Sequence, residues 1–408
     1  MTRLLDENRR WLVLGTLFLA AGANVGSSNY AFGLFVEPLE TTFGWSRTAI
    51  SASLSFTAVG ALASPIIGRL MDRHGARPVL VISLALMGIS FLVRPAMTEL
   101  WHWYGLSFLQ FIGISGITVL PAGRLVPIWF PSSHGRMMGI TVAGINVGGI
   151  TIPFIVNVTL GASGWQAAYV AMGVIAVALA TLALLFVRER PPDAQDDTAG
   201  PTQDVSSRMS GLPLSAATKT RSFYAIVGAL ALGNFGHAGV FPQLIPHFTE
   251  LGVPTTWATI TVTVMAVAGL ISKPTFGYLS ERMTARRAMM LTLSGQCVGS
   301  VLLVISPVAA WVGLPIFGVS MGAHSALMPL LVQESFGSRY FGSIMGTVTM
   351  FTLIPFGLAP IIAGLTFDVT QSYTLAYLGF AALFVIAAAG LTQMRIRDDG
   401  GWSRAGIE

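Results

Sequence analysis

Lys273 and Arg124 are cationic residues set inside long apolar runs. A charge in such surroundings costs several kcal/mol and needs an anion, a dipole or water beside it. On a helix, Lys273 lies roughly five residues past the middle of its run, about 8 Å from the midplane at 1.5 Å per residue. No acidic residue falls in the apolar centre of any run. An anionic ligand in a wet cavity would complete Lys273, and lysine would meet it as a point charge with three donors. Arg124 lies nearer the end of its run, where a long side chain can snorkel to the headgroups. It is expected to contact ligand or to serve a gate. Both cations on one cavity would suit a dicarboxylate, or two monocarboxylates in exchange.

His237 and His324 sit mid-run and titrate near neutral pH, so each is a candidate for coupling a proton. His237 is also a candidate ligand contact. Tyr30 and Asn234 are candidate hydrogen-bond donors to a carboxylate, with Asn146 as a further one. The competing reading for such residues is hydrogen bonding between helices. No spacing of His, Cys, Asp or Glu suggests a metal, and no nucleotide or dinucleotide fingerprint occurs, so no cofactor is expected. Gly318-Val-Ser320-Met-Gly322 fits a hydrolase elbow, but it lies in an apolar run with no acid near it before Glu334. An enzyme is therefore not expected.

The elements that must position these residues follow from composition. Of 408 residues, 53% are hydrophobic and 10% charged, and the mean hydropathy is +0.70. A soluble chain carries about 25% charged residues. Apolar runs fall at 11–35, 48–70, 78–95, 101–128, 136–160, 165–187, 222–248, 256–280, 287–306, 309–333, 340–366 and 372–394. Each is long enough to cross a bilayer as a helix. The first is too long for a signal peptide and is read as a retained span. The segment from Arg188 to Arg221 is rich in Pro, Asp, Ser and Thr. The expected organisation is residues 1–190 as one six-helix bundle, 191–220 as a cytoplasmic linker and 221–408 as a second bundle. Of the 23 Lys and Arg residues, Arg47 and Arg94 fall in loops of one side. Arg124 and Lys273 fall inside runs, and all others fall on the opposite side. The positive-inside rule then puts both termini in the cytoplasm. The same asymmetry accounts for the net charge of +5 without nucleic acid. One cysteine, Cys297, excludes an internal disulfide.

The chain also repeats itself. PIIGRLMDRHGAR at 65–77 aligns with PTFGYLSERMTAR at 274–286, offset 209, each block ending the second span of its half. Gly135 and Gly139 echo in Gly342 and Gly346. Internal repeats of this kind are typical of transporter folds. Gly68-x-Leu70-x-Asp72-Arg73-x-Gly75-x-Arg77 resembles the loop motif of the major facilitator superfamily. Tyr30 to Gly33, Phe43 to Arg47, Trp129-Phe130, Gly135-Arg136, Gly144, Gly342 to Gly346 and Phe367-Asp368 resemble its monocarboxylate and oxalate/formate branch.

That resemblance implies an all-α membrane protein with twelve transmembrane helices in two pseudo-symmetric six-helix bundles. It implies secondary transport of a small organic anion, a monocarboxylate, by alternating access with proton symport or anion exchange. It also implies a gate at Gly68, Asp72, Arg73 and Arg77, repeated at Gly277, Glu281 and Arg282. Two departures stand out. The branch carries arginine before the proline of span eight, where this chain has Lys273-Pro274. Its eukaryotic members have aspartate four residues earlier, where this chain has Gly269. The alternatives are a dicarboxylate/monocarboxylate antiporter, a drug exporter, which would want an acidic residue mid-membrane, and a transporter-like sensor. The expected setting is the plasma (inner) membrane, as a monomer, with lipid, the carboxylate and protons or a counter-anion as its partners.

Overall fold

The computed structural model describes residues 8–189, 211–258 and 260–394. These are helical almost throughout, and among them no strand occurs beyond the isolated bridge Gly211–Gly337. Helix is the form that lets an apolar segment satisfy every backbone group from within, as a bilayer demands. Among the described residues, ten helices are long and apolar enough to cross a membrane. One of them, His134–Phe186, changes direction at Gly164 (φ 81°, ψ 177°) and so supplies two spans. Phe341–Thr370 supplies another, which brings the described chain to the twelve-helix arrangement. Residues 191–210 of the expected linker lie outside the described residues, as do Arg3, Arg190, Arg208, Arg395, Arg397 and Arg404 among the basic residues.

The first span is longer than its apolar run. Helix Arg9–Val25 passes through a π-helical turn, Gly26–Tyr30, and resumes as Gly33–Phe43. It stops at Gly44, whose left-handed backbone (φ 70°) costs glycine least. Helical hydrogen bonding does not require apolar side chains, so Glu37 to Thr42 extend the rod beyond the point where hydropathy falls.

The chain forms two compact units, Met1–Met209 with Phe341–Thr347, and Ser210–Tyr340 with Val348–Glu408. In unit 1, glycines bring the first and fifth spans together. A Cβ on Gly22 would lie 2.7 Å from the Gly144 carbonyl oxygen, and one on Gly148 would overlap the Gly22 backbone. Close approach of this kind replaces the hydrophobic effect as the packing device between helices in lipid. In unit 2, Ile260–Met283 and Pro307–Phe336 meet in the same way, since a Cβ on Gly322 would collide with Gly269 Cα and Ser272 Oγ.

Candidate functional site

The loop-motif residues gather around one helix end in unit 1. Arg47–His74 ends with Gly68 and Asp72 facing the first turn of Phe341–Thr370. A Cβ on Gly68 would overlap the Gly342 carbonyl, so only glycine fits there. The Asp72 carboxylate accepts from Gly342 N (2.8 Å) and Ser343 N (2.7 Å), and from the Ser343 hydroxyl. These amides are donors with no partner inside their own helix, and a carboxylate also suits the positive helix end. Arg124 closes the cluster. Its Nη1 lies 3.6 Å from Asp72 Oδ1 and its Nε bonds Glu189 at 3.2 Å. An anionic ligand at the same guanidinium would be repelled by both carboxylates. Arg124, expected to contact ligand or to serve a gate, stands here in an ion-pair network with Asp72 and Glu189. Arg73 is exposed beside it.

Glu189 was not singled out by the sequence. Its carboxylate also caps the third span, accepting from the Ala76 and Arg77 amides. It lies 65 residues from Arg124 in a segment that composition marks only as the start of a linker. Unit 2 caps the same position from a different place, where Glu334, at the end of Pro307–Phe336, accepts from Arg286 N at 3.2 Å. The two arginines act alike as well. Arg77 donates to the carbonyl of Leu184. Arg286 donates to those of Met394 (2.9 Å) and Thr392 (3.0 Å). Each thus ties the end of the last span of its half to the start of the third, where an arginine favours the carbonyl end of a helix. Gly75 (φ 90°) and Thr284 (φ 83°) share the backbone form between the second and third span of each half. Threonine, β-branched, is strained there, though its hydroxyl accepts from Arg287 N. Gly277 is buried, Glu281 is half-buried and Arg282 lies over the Tyr278 ring at 5.1 Å.

Lys273 is 6% exposed, in the span Ile260–Met283, with Nζ donating to the Gly269 carbonyl at 3.3 Å. Gly269 is also the contact with Gly322, where a Cβ on Gly322 would lie 2.4 Å from Gly269 Cα. His324, two residues past Gly322, is buried, and its ring stands 5.7 Å from that of His237. Gly233 leaves the space for it, since a Cβ there would lie 2.8 Å from His324 Cε1. The two histidines, read separately from sequence, are one pair in unit 2. Asn234 is half-buried on the same helix as His237.

In unit 1, Tyr30 ends the π-turn and is 51% exposed, with its ring against Gly149. Asn146 lies one turn before Gly149 and is half-buried. Arg94, read as a loop residue, is instead buried at 4% exposure in the short turn Arg94–Ala96. Its guanidinium carbon lies 4.4 Å from the Trp103 ring centre, 4.8 Å from Tyr169 and 5.2 Å from Phe91. Such ring contacts are worth about 0.5–2 kcal/mol each, against several kcal/mol for desolvating an ion. Trp103, Ser107 and Gln110, at helical spacing along one face of the fourth span, are the signal that could have found it.

The sequence pattern of the Major Facilitator Superfamily matches residues 15–360. The chain belongs to that family and is a multi-pass membrane transporter. It is 25% identical over 396 residues to Monocarboxylate transporter 13 of Rattus norvegicus, covering 95% of this chain and 89% of that protein. It is 24% identical over 350 residues to the oxalate:formate antiporter of Oxalobacter formigenes, covering 83% of this chain and 80% of that one. Among solved structures, the proton:xylose symporter XylE superposes with a TM-score of 0.74 at 13% identity, covering 96% of this chain and 97% of that chain. At that identity the likeness speaks to the fold.

Proposed function

We propose that this transporter moves a small organic anion, a monocarboxylate, by alternating access, with Lys273 as the charge that meets the carboxylate. The observation that carries this reading is a lysine buried at 6% exposure within an apolar span. A buried ammonium is costly and gains most from a ligand of opposite sign. The names of the relatives, monocarboxylate transporters and an oxalate:formate antiporter, agree in that sign. Tyr30, Asn234, Asn146 and His237 are the proposed orienting donors, and the His237–His324 pair is the proposed route for a coupled proton. Asp72, Arg124 and Glu189, with Gly68, Arg73, Arg77, Gly277, Glu281 and Arg282, are proposed to gate the side facing the cytoplasm. Residues 1–190 and 221–408 are the proposed moving bundles, joined by the cytoplasmic linker 191–220. The proposed setting is the plasma (inner) membrane, as a monomer with both termini inside. The arginine-rich loops support this orientation.

The test is uptake of labelled formate, acetate, lactate and oxalate by proteoliposomes. The native chain is expected to take up at least one of them. Lys273→Ala is expected to abolish that uptake with folding intact, and Lys273→Arg to retain part of it. Unchanged uptake in Lys273→Ala would sink the proposal. Exchange is separated from proton symport by loading the vesicles with unlabelled carboxylate or with a pH gradient.

A further inference from the structure

We propose that Arg94 holds a small inorganic anion, chloride in ordinary salt, in a pocket of unit 1. The site shares no residue with the proposed carboxylate site and goes beyond that function. Three observations converge on it. First, Arg94 is a buried cation with no carboxylate paired to it among the described residues. Its aromatic cage of Trp103, Tyr169 and Phe91 offers ring faces but no full counter-charge. Second, its hydrogen bonding is incomplete. Nη2 donates to Gln110 Oε1 at 2.7 Å and Ser107 Oγ at 3.3 Å, while the buried Nε has no acceptor. Third, a cavity lies against it, lined also by Ser27, Ser28, Ser107, Gln110 and Trp103.

The lining gives the sign of the occupant. Gln110 turns its oxygen to Arg94 and donates through Nε2 to Ser28 Oγ at 3.0 Å. The Ser28 hydroxyl, having accepted, is left with a proton to give. Arg94 Nε likewise has only a proton to give. Donors and a cation select an anion. The space gives the size. About 10 Å³ is open to the centre of a water-sized occupant, which suits one atom and not a carboxylate. A single-atom anion can accept from several donors at once and suffers no mismatch of shape.

The test uses the full-length protein in detergent, with bromide as the probe. Thermal midpoints are compared in bromide and in gluconate at equal ionic strength. Occupancy is expected to raise the native midpoint by about 2–4 °C in bromide. Lys273→Ala is expected to keep that rise and Arg94→Met to lose it. Equal midpoints in the two salts would overturn the proposal, as would a rise that survives Arg94→Met. A rise lost in Lys273→Ala would overturn it too, by moving the anion to the other cation. Should Arg94→Met fail to fold, crystals of the native protein grown in bromide decide the matter. An anomalous peak beside the Arg94 guanidinium is expected, and its absence there in a crystal that holds bromide elsewhere refutes the site.

Discussion

Asp72→Asn keeps the shape of the side chain and removes its charge, which makes it the sharpest probe of the helix-end cluster. The native carboxylate accepts three bonds from the first turn of Phe341–Thr370 and faces Arg124 at 3.6 Å. It is largely shielded from water, with 7% of its side chain exposed. Bonds to a charged acceptor contribute about 1.5–3 kcal/mol each, against about 0.5–1.5 for neutral pairs. Asparagine retains one acceptor and turns its amide protons toward an amide donor, so one bond is lost outright and the others weaken. The loss comes to about 3–5 kcal/mol, the helix-end charge term included. That is a rise of about 10²–4 × 10³ in the population with this helix end released, at about 1.4 kcal/mol per tenfold.

Ser64 reports the release. It is fully buried, and a Cβ on Gly346 would overlap its carbonyl. With Cys297 replaced by serine, Ser64→Cys is the one thiol in the chain. Its alkylation rate follows the open population while that population is minor. The rate is expected to rise by about a hundredfold or more in Asp72→Asn. An unchanged rate in a variant that still folds would refute the reasoning, because the carboxylate would then contribute nothing to closure.

Two further outcomes follow from the repeat. Thr284→Gly relieves a β-branched residue at φ 83° while costing only a few tenths of a kcal/mol in capping. It is expected to raise stability by about 1 kcal/mol, seen as a higher thermal midpoint. Arg286→Ala removes two bonds to the end of the last span, and Arg77→Ala removes one. Both variants are expected to lower the midpoint, with losses of about 1.5–3 kcal/mol per bond, so Arg286→Ala falls further. Equal losses would show that the carbonyl contacts are not what these arginines contribute.

Much of this architecture is legible in the sequence because a bilayer permits few alternatives. Runs long enough to span become helices, and the Gly-x-x-x-Gly pairs at 144/148 and 342/346 become backbone contacts. Partners are less legible. Arg124 lies in an apolar run and invites a ligand, yet its counter-charges come from the ends of two other spans, Asp72 and Glu189. Hydropathy reports how far a residue lies from the end of a run and says nothing of which way its side chain turns. The same blindness made Arg94 a loop residue. Helix-end residues are where an arginine has both the reach to turn inward and the length to turn outward. The His237–His324 pair is hidden for another reason, since 87 residues separate its members and nothing in either local pattern names the other.

The arginine staples also bear on the order of assembly. Each bond spans roughly the same length of chain, with separations of 107 for Arg77 to Leu184 and 108 for Arg286 to Met394. Neither can form until the last helix of its own half has left the ribosome and entered the bilayer. Until then the arginine at the start of the third helix lacks the carbonyls of the last span that it ties. A half so closed owes nothing to the other half for this bond. Insertion therefore has two checkpoints of equal length, and a chain interrupted in the linker would still pass the first.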